Sequence, residues 1–118
     1  YGYANEFSQV VLNLLSNAKD VLIQREIENP RIEIKVSKDD KNIYCEINDN
    51  AKGIEEKNLN KIFEPYFTTK DVTGTGIGLY IAKEIIEKHM KGSLIVKNSE
   101  VGARFIISIP IKKETNES

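Results

Sequence analysis

The sequence has only one cysteine, Cys45, in 118 residues. A lone thiol cannot close an internal disulfide, so the core must hold the fold, and a reducing compartment is expected. No apolar run approaches the length that spans a bilayer, and no signal-peptide pattern opens the chain. An excess of charge of one sign is also lacking. The formal net charge is -1, which gives no basic surface suited to nucleic acid or an anionic membrane. Internal repeats and low-complexity tracts are absent. What remains is ordinary for one compact globular domain, with 40% hydrophobic and 30% charged residues. The domain is expected over residues 1–111, with a polar, frayed tail over 112–118. The chain opens abruptly in helical-looking sequence, Tyr1 to Phe7, so it is expected to be a piece of a longer protein.

Hydrophobic periodicity predicts the elements. Phe7, Val10, Val11, Leu14, Leu15, Ala18 and Leu22 recur at helical spacing, which predicts one helix over 5–28, ended by Asn29-Pro30. Ile32, Ile34 and Val36 alternate with polar residues as in a half-buried strand. After the Asp39–Asn42 turn, Ile43, Cys45 and Ile47 share one face of a second strand. A short helix is expected over 55–62 and a longer one from Gly76 to Met90, burying Leu79, Ala82, Ile85 and Ile86 and stopped at Gly92. Leu94 and Val96, then Phe105, Ile107 and Ile109, form a closing hairpin that turns at Glu100-Val101-Gly102. Hairpins with helices on one face give an α+β fold, a two-layer α/β sandwich.

Several residues are chemically conspicuous. Asn13, Asn17 and Asp20 lie at i, i+4 and i+7, on one stripe beside the apolar face, extended by Gln9, Ser16 and Gln24. Asparagine is a poor helix former. The stripe is either a solvated flank or a set of hard amide oxygens suited to Mg²⁺. Asp49 continues the inward face of Ile43, Cys45 and Ile47. It is either a turn aspartate or a carboxylate that accepts a hydrogen bond from a ligand amine. Gly74-Thr75-Gly76-Ile77-Gly78-Leu79 leads directly into a helix, as a hinge would or as a backbone cradle for phosphate would. Phe63, Tyr66 and Phe67 sit in non-periodic sequence, as a satellite core would, and Thr68, Thr69 and Lys70 behind them could face phosphate.

In this order and at these spacings, the segments resemble the nucleotide-binding domain of sensor histidine kinases. That domain shares a superfamily with DNA gyrase, the ninety-kilodalton heat-shock chaperone and the MutL repair proteins. Asn13–Ala18 resembles the N box, Asp49–Ile54 the first glycine box, Phe63–Lys70 the F box and Gly74–Leu79 the second glycine box. The resemblance implies a Bergerat-type ATP-binding fold, with a mixed, mostly antiparallel sheet covered on one face by helices. It implies ATP and Mg²⁺ as cofactors, Asn17 ligating the metal and Asn13 supporting it or the phosphates, with Asp20 also facing the nucleotide. Asp49 would bind the adenine amine, with Ala51, Gly53 and Ile54 around the base. Phe63, Phe67, Thr68, Thr69 and Lys70 would belong to a mobile lid running to Thr75. Gly74, Thr75, Gly76, Ile77, Gly78 and Leu79 would line the phosphates, and Asn13, Asn17 and Lys70 would carry the catalysis. Two positions depart from the family pattern: Ala51 stands at the first glycine of its box, and Arg104 stands where relatives carry a smaller residue.

The implied reaction is transfer of the γ-phosphoryl group of ATP to a histidine outside this chain. The implied partners are a histidine-bearing dimerisation domain of the same protein and a downstream response-regulator receiver domain. The parent would be a cytoplasmic or membrane-anchored homodimer, this domain itself touching neither membrane nor nucleic acid. Two other readings stand beside it: a nucleotide-binding module without transfer activity, and an ATP-hydrolysing clamp. Clamp relatives carry a glutamate at Asn13, and an amide cannot serve as that base. His89, the only histidine, closes the second long helix and is expected to pack there at the helix's negative end.

Overall fold

The computed structural model describes residues 4–67 and 77–111. Its elements run α1 (Ala4–Gln24), β1 (Ile32–Lys38), β2 (Asn42–Asp49), α2 (Gly78–Glu84), β3 (Ser93–Asn98) and β4 (Ala103–Pro110). The strands form one sheet in the order β1-β2-β4-β3, with every described pairing antiparallel. The α+β sandwich expected from the sequence is present. Val10, Leu14, Ala82 and Ile86 from the helices meet Cys45, Ile47, Leu94, Phe105 and Ile107 from the sheet in one core. Burial of the Cys45 thiol raises its pKa and keeps it in the unreactive protonated form.

Helix α1 forms because Val10, Leu14, Ala18 and Leu22 repeat every four residues, and all four are buried. It ends earlier than Pro30 would require. Glu26 adopts a left-handed φ of 53°, Ile27 N–H donates to Leu22 O and Glu26 N–H to Ile23 O. This is a Schellman stop, with glutamate where glycine is usual. The expected helix to residue 28 is therefore a helix to Gln24 followed by a turn, with Arg25 N–H still donating to Val21 O.

Other boundaries also shift. The short helix expected over 55–62 is a single 3₁₀ turn at Glu56–Asn58 followed by further turns. Helix α2 widens into a π-helix at Ile85–His89. The left-handed residue after it is Lys91, with φ 58°, not Gly92. Gly92 is required for a different reason: a Cβ there would lie 2.1 Å from Ser108 O. Strand β1 is not half-buried. Ile34 and Val36 are 49% and 71% exposed, because β1 is an edge strand and the described helices pack over the central pair, β2 and β4.

In the β1–β2 turn, Asp39 accepts backbone hydrogen bonds from Asn42 and Lys41 and one from the Tyr44 hydroxyl. Those bonds, the one from Asn42 foremost, hold its pKa below the usual aspartate value. The turn is therefore tightest above the ordinary aspartate range and loosens as pH falls through the lowered value.

Candidate nucleotide site

Strand alternation carries Cys45, Ile47 and then Asp49 to the helix side of β2, and all three are buried. Asp49, 7% exposed, is the one buried charged side chain among the described residues. Its Oδ1 accepts hydrogen bonds from Ala51 N–H at 3.0 Å and Ala103 N–H at 3.2 Å. Its Oδ2 has no partner among the described residues. A buried carboxylate oxygen left in that state is costly unless a ligand donor reaches it. The backbone presses close on the other side. A Cβ on Gly102 would stand 1.9 Å from Asp49 O and 2.7 Å from its Oδ1, so only glycine fits at the entrance to β4.

The loop after Asp49 is pinned on several sides. Asn50 Nδ2 donates to Asn29 O, and Arg31 N–H donates to Asn50 Oδ1. Lys52 N–H donates to Val101 O. Asn98 makes a paired contact, its Oδ1 accepting from Ile54 N–H at 2.8 Å and its Nδ2 donating to Ile54 O at 2.7 Å. Arg25 Nη1 donates to Ala51 O at 2.5 Å and Gly53 O at 2.7 Å. Ala51 is buried and lies outside the left-handed region; the left-handed residues are Lys52, φ 75°, and Gly53, φ 84°. Alanine at the first glycine position therefore meets no backbone conflict. Gly53 is different, since a Cβ would come within 2.7 Å of Asn98 Oδ1.

Across the helix layer, Asn13 bridges two elements. Its Nδ2 donates to Gly78 O at 3.2 Å, at the start of α2, and its Oδ1 accepts from Gln9 Nε2 at 2.9 Å. Asn17 and Asp20 are half-buried on the same stripe, and the Asn17 side chain has no hydrogen-bond partner among the described residues. Ile77 begins α2 without a side-chain cap, and Leu79 packs against the core. Phe63 meets Phe105 edge-on at 6.1 Å, with the Lys83 ammonium 4.8 Å over its ring. Phe67 also lies against the core, so both aromatics sit in the packing layer. Thr68, Thr69, Lys70, Gly74, Thr75 and Gly76 lie outside the described residues.

Two residues left open by the sequence acquire surroundings. Arg104 faces away from the helices, donating to Asn48 Oδ1 at 3.1 Å and lying 3.7 Å from Glu46. It is a cross-strand tie between β2 and β4. His89 is half exposed rather than packed, with Nδ1 2.7 Å from Glu6 Oε2. Sequence reading missed Arg25 and Asn98. Each looks like an ordinary surface residue, and only the loop's return path makes its contact.

The family described as histidine kinase-, DNA gyrase B- and HSP90-like ATPase matches residues 2–113. The two-component sensor PprA of Pseudomonas aeruginosa is 36% identical, over 93% of this chain and 12% of its own. Sporulation kinase A of Bacillus subtilis is 35% identical, over 94% of this chain and 18% of its own. The chain thus spans less than a fifth of these two relatives. The solved catalytic domain of histidine kinase ThkA superposes with a TM-score of 0.74 at 30% identity, over 90% of this chain and 65% of that one. Among the described residues no helix is long and apolar enough to cross a membrane. The chain belongs to the histidine kinase-, DNA gyrase B- and HSP90-like ATPase family, and its relatives there are sensor histidine kinases.

Proposed function

We propose that this chain binds Mg·ATP and presents its γ-phosphoryl group to a histidine on a dimerisation domain of the same cytoplasmic or membrane-anchored parent protein. A response-regulator receiver domain would take the group next. The observation that carries the reading is Asp49: a buried carboxylate with one oxygen fixed by two backbone N–H groups and the other unpartnered among the described residues. That geometry suits a donor such as the exocyclic amine of adenine.

The donor set also fits a shared metal. No cluster of three His, Cys, Asp or Glu side chains among the described residues could cage a cation. The side-chain amide of Asn17, unpartnered among the described residues, is the kind of single hard ligand that Mg²⁺ accepts when phosphates supply the rest. Mg²⁺ bound there would neutralise phosphate charge. Asn13 holds the start of α2 through Gly78 O, which fixes where the first-turn N–H groups point. With its amide engaged by Gln9 and Gly78, Asn13 offers no base to activate water, which disfavours the hydrolysing clamp.

Asn17→Ala is expected to weaken Mg·ATP binding by about ten-fold or more, the worth of a charge-assisted contact, and to stop transfer. Calorimetry with and without Mg²⁺ checks it; unchanged Mg·ATP affinity together with full transfer removes Asn17 from the metal. The overall reading is tested by supplying the parent's histidine-bearing dimerisation domain with this chain and labelled Mg·ATP. Acid-labile phosphate should reach that domain, and the chain alone should gain none. His89 lies eleven residues beyond Gly78, about 16 Å along a helix at 1.5 Å per residue, too far for an in-line acceptor. Label on His89 that disappears in His89→Gln would overturn this division of labour.

A further inference from the structure

Arg25 stands outside every motif the sequence presents, yet it grips the loop that shapes the Asp49 pocket. We propose that Arg25 is a positioning residue for base recognition, acting through Ala51 on the Asp49 carboxylate; the inference rests on the adenine reading above. One nitrogen, Nη1, donates to both Ala51 O and Gly53 O. Those carbonyls flank Lys52 and belong to a stretch with two successive left-handed residues, Lys52 and Gly53. Left-handed backbone is unfavourable for a residue with a side chain such as lysine, and two carbonyl dipoles turned toward one point repel unless a cation lies between them. The guanidinium supplies that cation. Its effect passes to the site through a single residue. Ala51 gives its C=O to Arg25 and its N–H to Asp49 Oδ1. Holding Ala51 therefore fixes which carboxylate oxygen is occupied and which is left for the base.

Arg25 closes the last turn of α1, its N–H donating to Val21 O, and the left-handed Glu26 ends the helix directly after it. Because both loop bonds come from one nitrogen, a lysine ammonium can make the same two contacts to Ala51 O and Gly53 O. This separates the proposal from a role in packing or general stability.

The test compares Arg25→Gln, Arg25→Lys and Asp49→Asn in this chain, measuring Kd for Mg·ATP and for Mg·inosine triphosphate, which has a carbonyl where ATP has the amine. Arg25→Gln is expected to weaken ATP on the order of ten-fold and inosine triphosphate much less, while Arg25→Lys restores the discrimination. Amide exchange of Ala51, read by NMR well below Tm, should quicken in Arg25→Gln and not in Arg25→Lys. That readout stands even if nucleotide binding is lost. Equal losses for the two nucleotides, or Ala51 exchange unchanged in Arg25→Gln, would overturn the positioning role. If Asp49→Asn also leaves the discrimination intact, the adenine reading fails with it. If Asp49→Asn abolishes discrimination and Arg25→Gln does not, only the Arg25 proposal fails.

Discussion

Gly102→Ala should lower stability by about 1 to 3 kcal/mol, the range for forcing a methyl into a packed interior, and should abolish nucleotide binding at ordinary concentrations. The added Cβ would sit 1.9 Å from Asp49 O, and the atom in its way is backbone, not the end of a flexible side chain. Gly102 cannot easily retreat. Its N–H donates to Ser99 Oγ, its carbonyl accepts from Ser99 N–H, and Ala103 beside it donates to Asp49 Oδ1. Whichever side yields, Asp49 is re-aimed. The control is Gly78→Ala, where a Cβ meets nothing within 4 Å and the exchange should hold or raise stability, since alanine is the better helix former. Thermal melts of the two variants check the contrast, at roughly 4 to 8 °C per kcal/mol for a domain near this size. A Gly102→Ala melt matching the parent would show that β4 can shift freely at its start.

The parts of this fold that repeat were legible in the sequence, and the parts that depend on a return path were not. The four-residue spacing of Val10, Leu14, Ala18 and Leu22 faithfully marks the buried stripe of α1, and the two-residue spacing of Cys45, Ile47 and Asp49 marks the inner face of β2. Both patterns are local, because helix and strand geometry turn sequence spacing directly into facing. The end of α1 was misread because Pro30 is a strong punctuation mark, while a glutamate in the left-handed position leaves no mark in the sequence. Exposure of Ile34 and Val36 was misread for the same kind of reason. Alternation says which residues share a face, but not whether a second layer reaches that face. The sequence reads Gly92 as a helix stop and Gly102 as part of a hairpin turn; at both, the structure assigns another cause, the absence of room for any Cβ.

Ala51 shows how a motif departure can be absorbed. Read against the family pattern, alanine in place of glycine suggests a disturbed loop. In the structure the left-handed turn falls on Lys52 and Gly53, and Ala51 keeps ordinary backbone geometry with its methyl buried. The strain moves one residue along the chain, and contacts from far apart in sequence meet it: Arg25 from beyond α1, Val101 from the closing hairpin and, at Ile54, Asn98 from β3. Loop conformation here is over-determined by tertiary contacts, which is the condition under which unfavourable backbone persists near functional sites.

Asp49→Asn should lose ATP about ten- to a hundred-fold, equivalent to about 1.5 to 3 kcal/mol for a hydrogen bond to a charged group. The variant is informative because the surroundings dictate which way the amide turns. Ala51 N–H and Ala103 N–H both point at the Oδ1 position, so the asparagine oxygen must take that place; the reverse orientation would set an NH₂ donor against two backbone donors. The asparagine nitrogen then occupies the Oδ2 position, which would face the base under the proposed reading. Against the amine of adenine it is a donor meeting a donor. Against the carbonyl of inosine triphosphate it is a donor meeting an acceptor. ATP affinity should therefore fall while inosine triphosphate affinity holds or rises, and the melting temperature should move much less than in Gly102→Ala because both backbone N–H groups keep an acceptor. Paired calorimetric titrations with the two nucleotides decide it. If both affinities fall by the same factor, Asp49 supports the loop without reading the base, and the recognition element lies elsewhere.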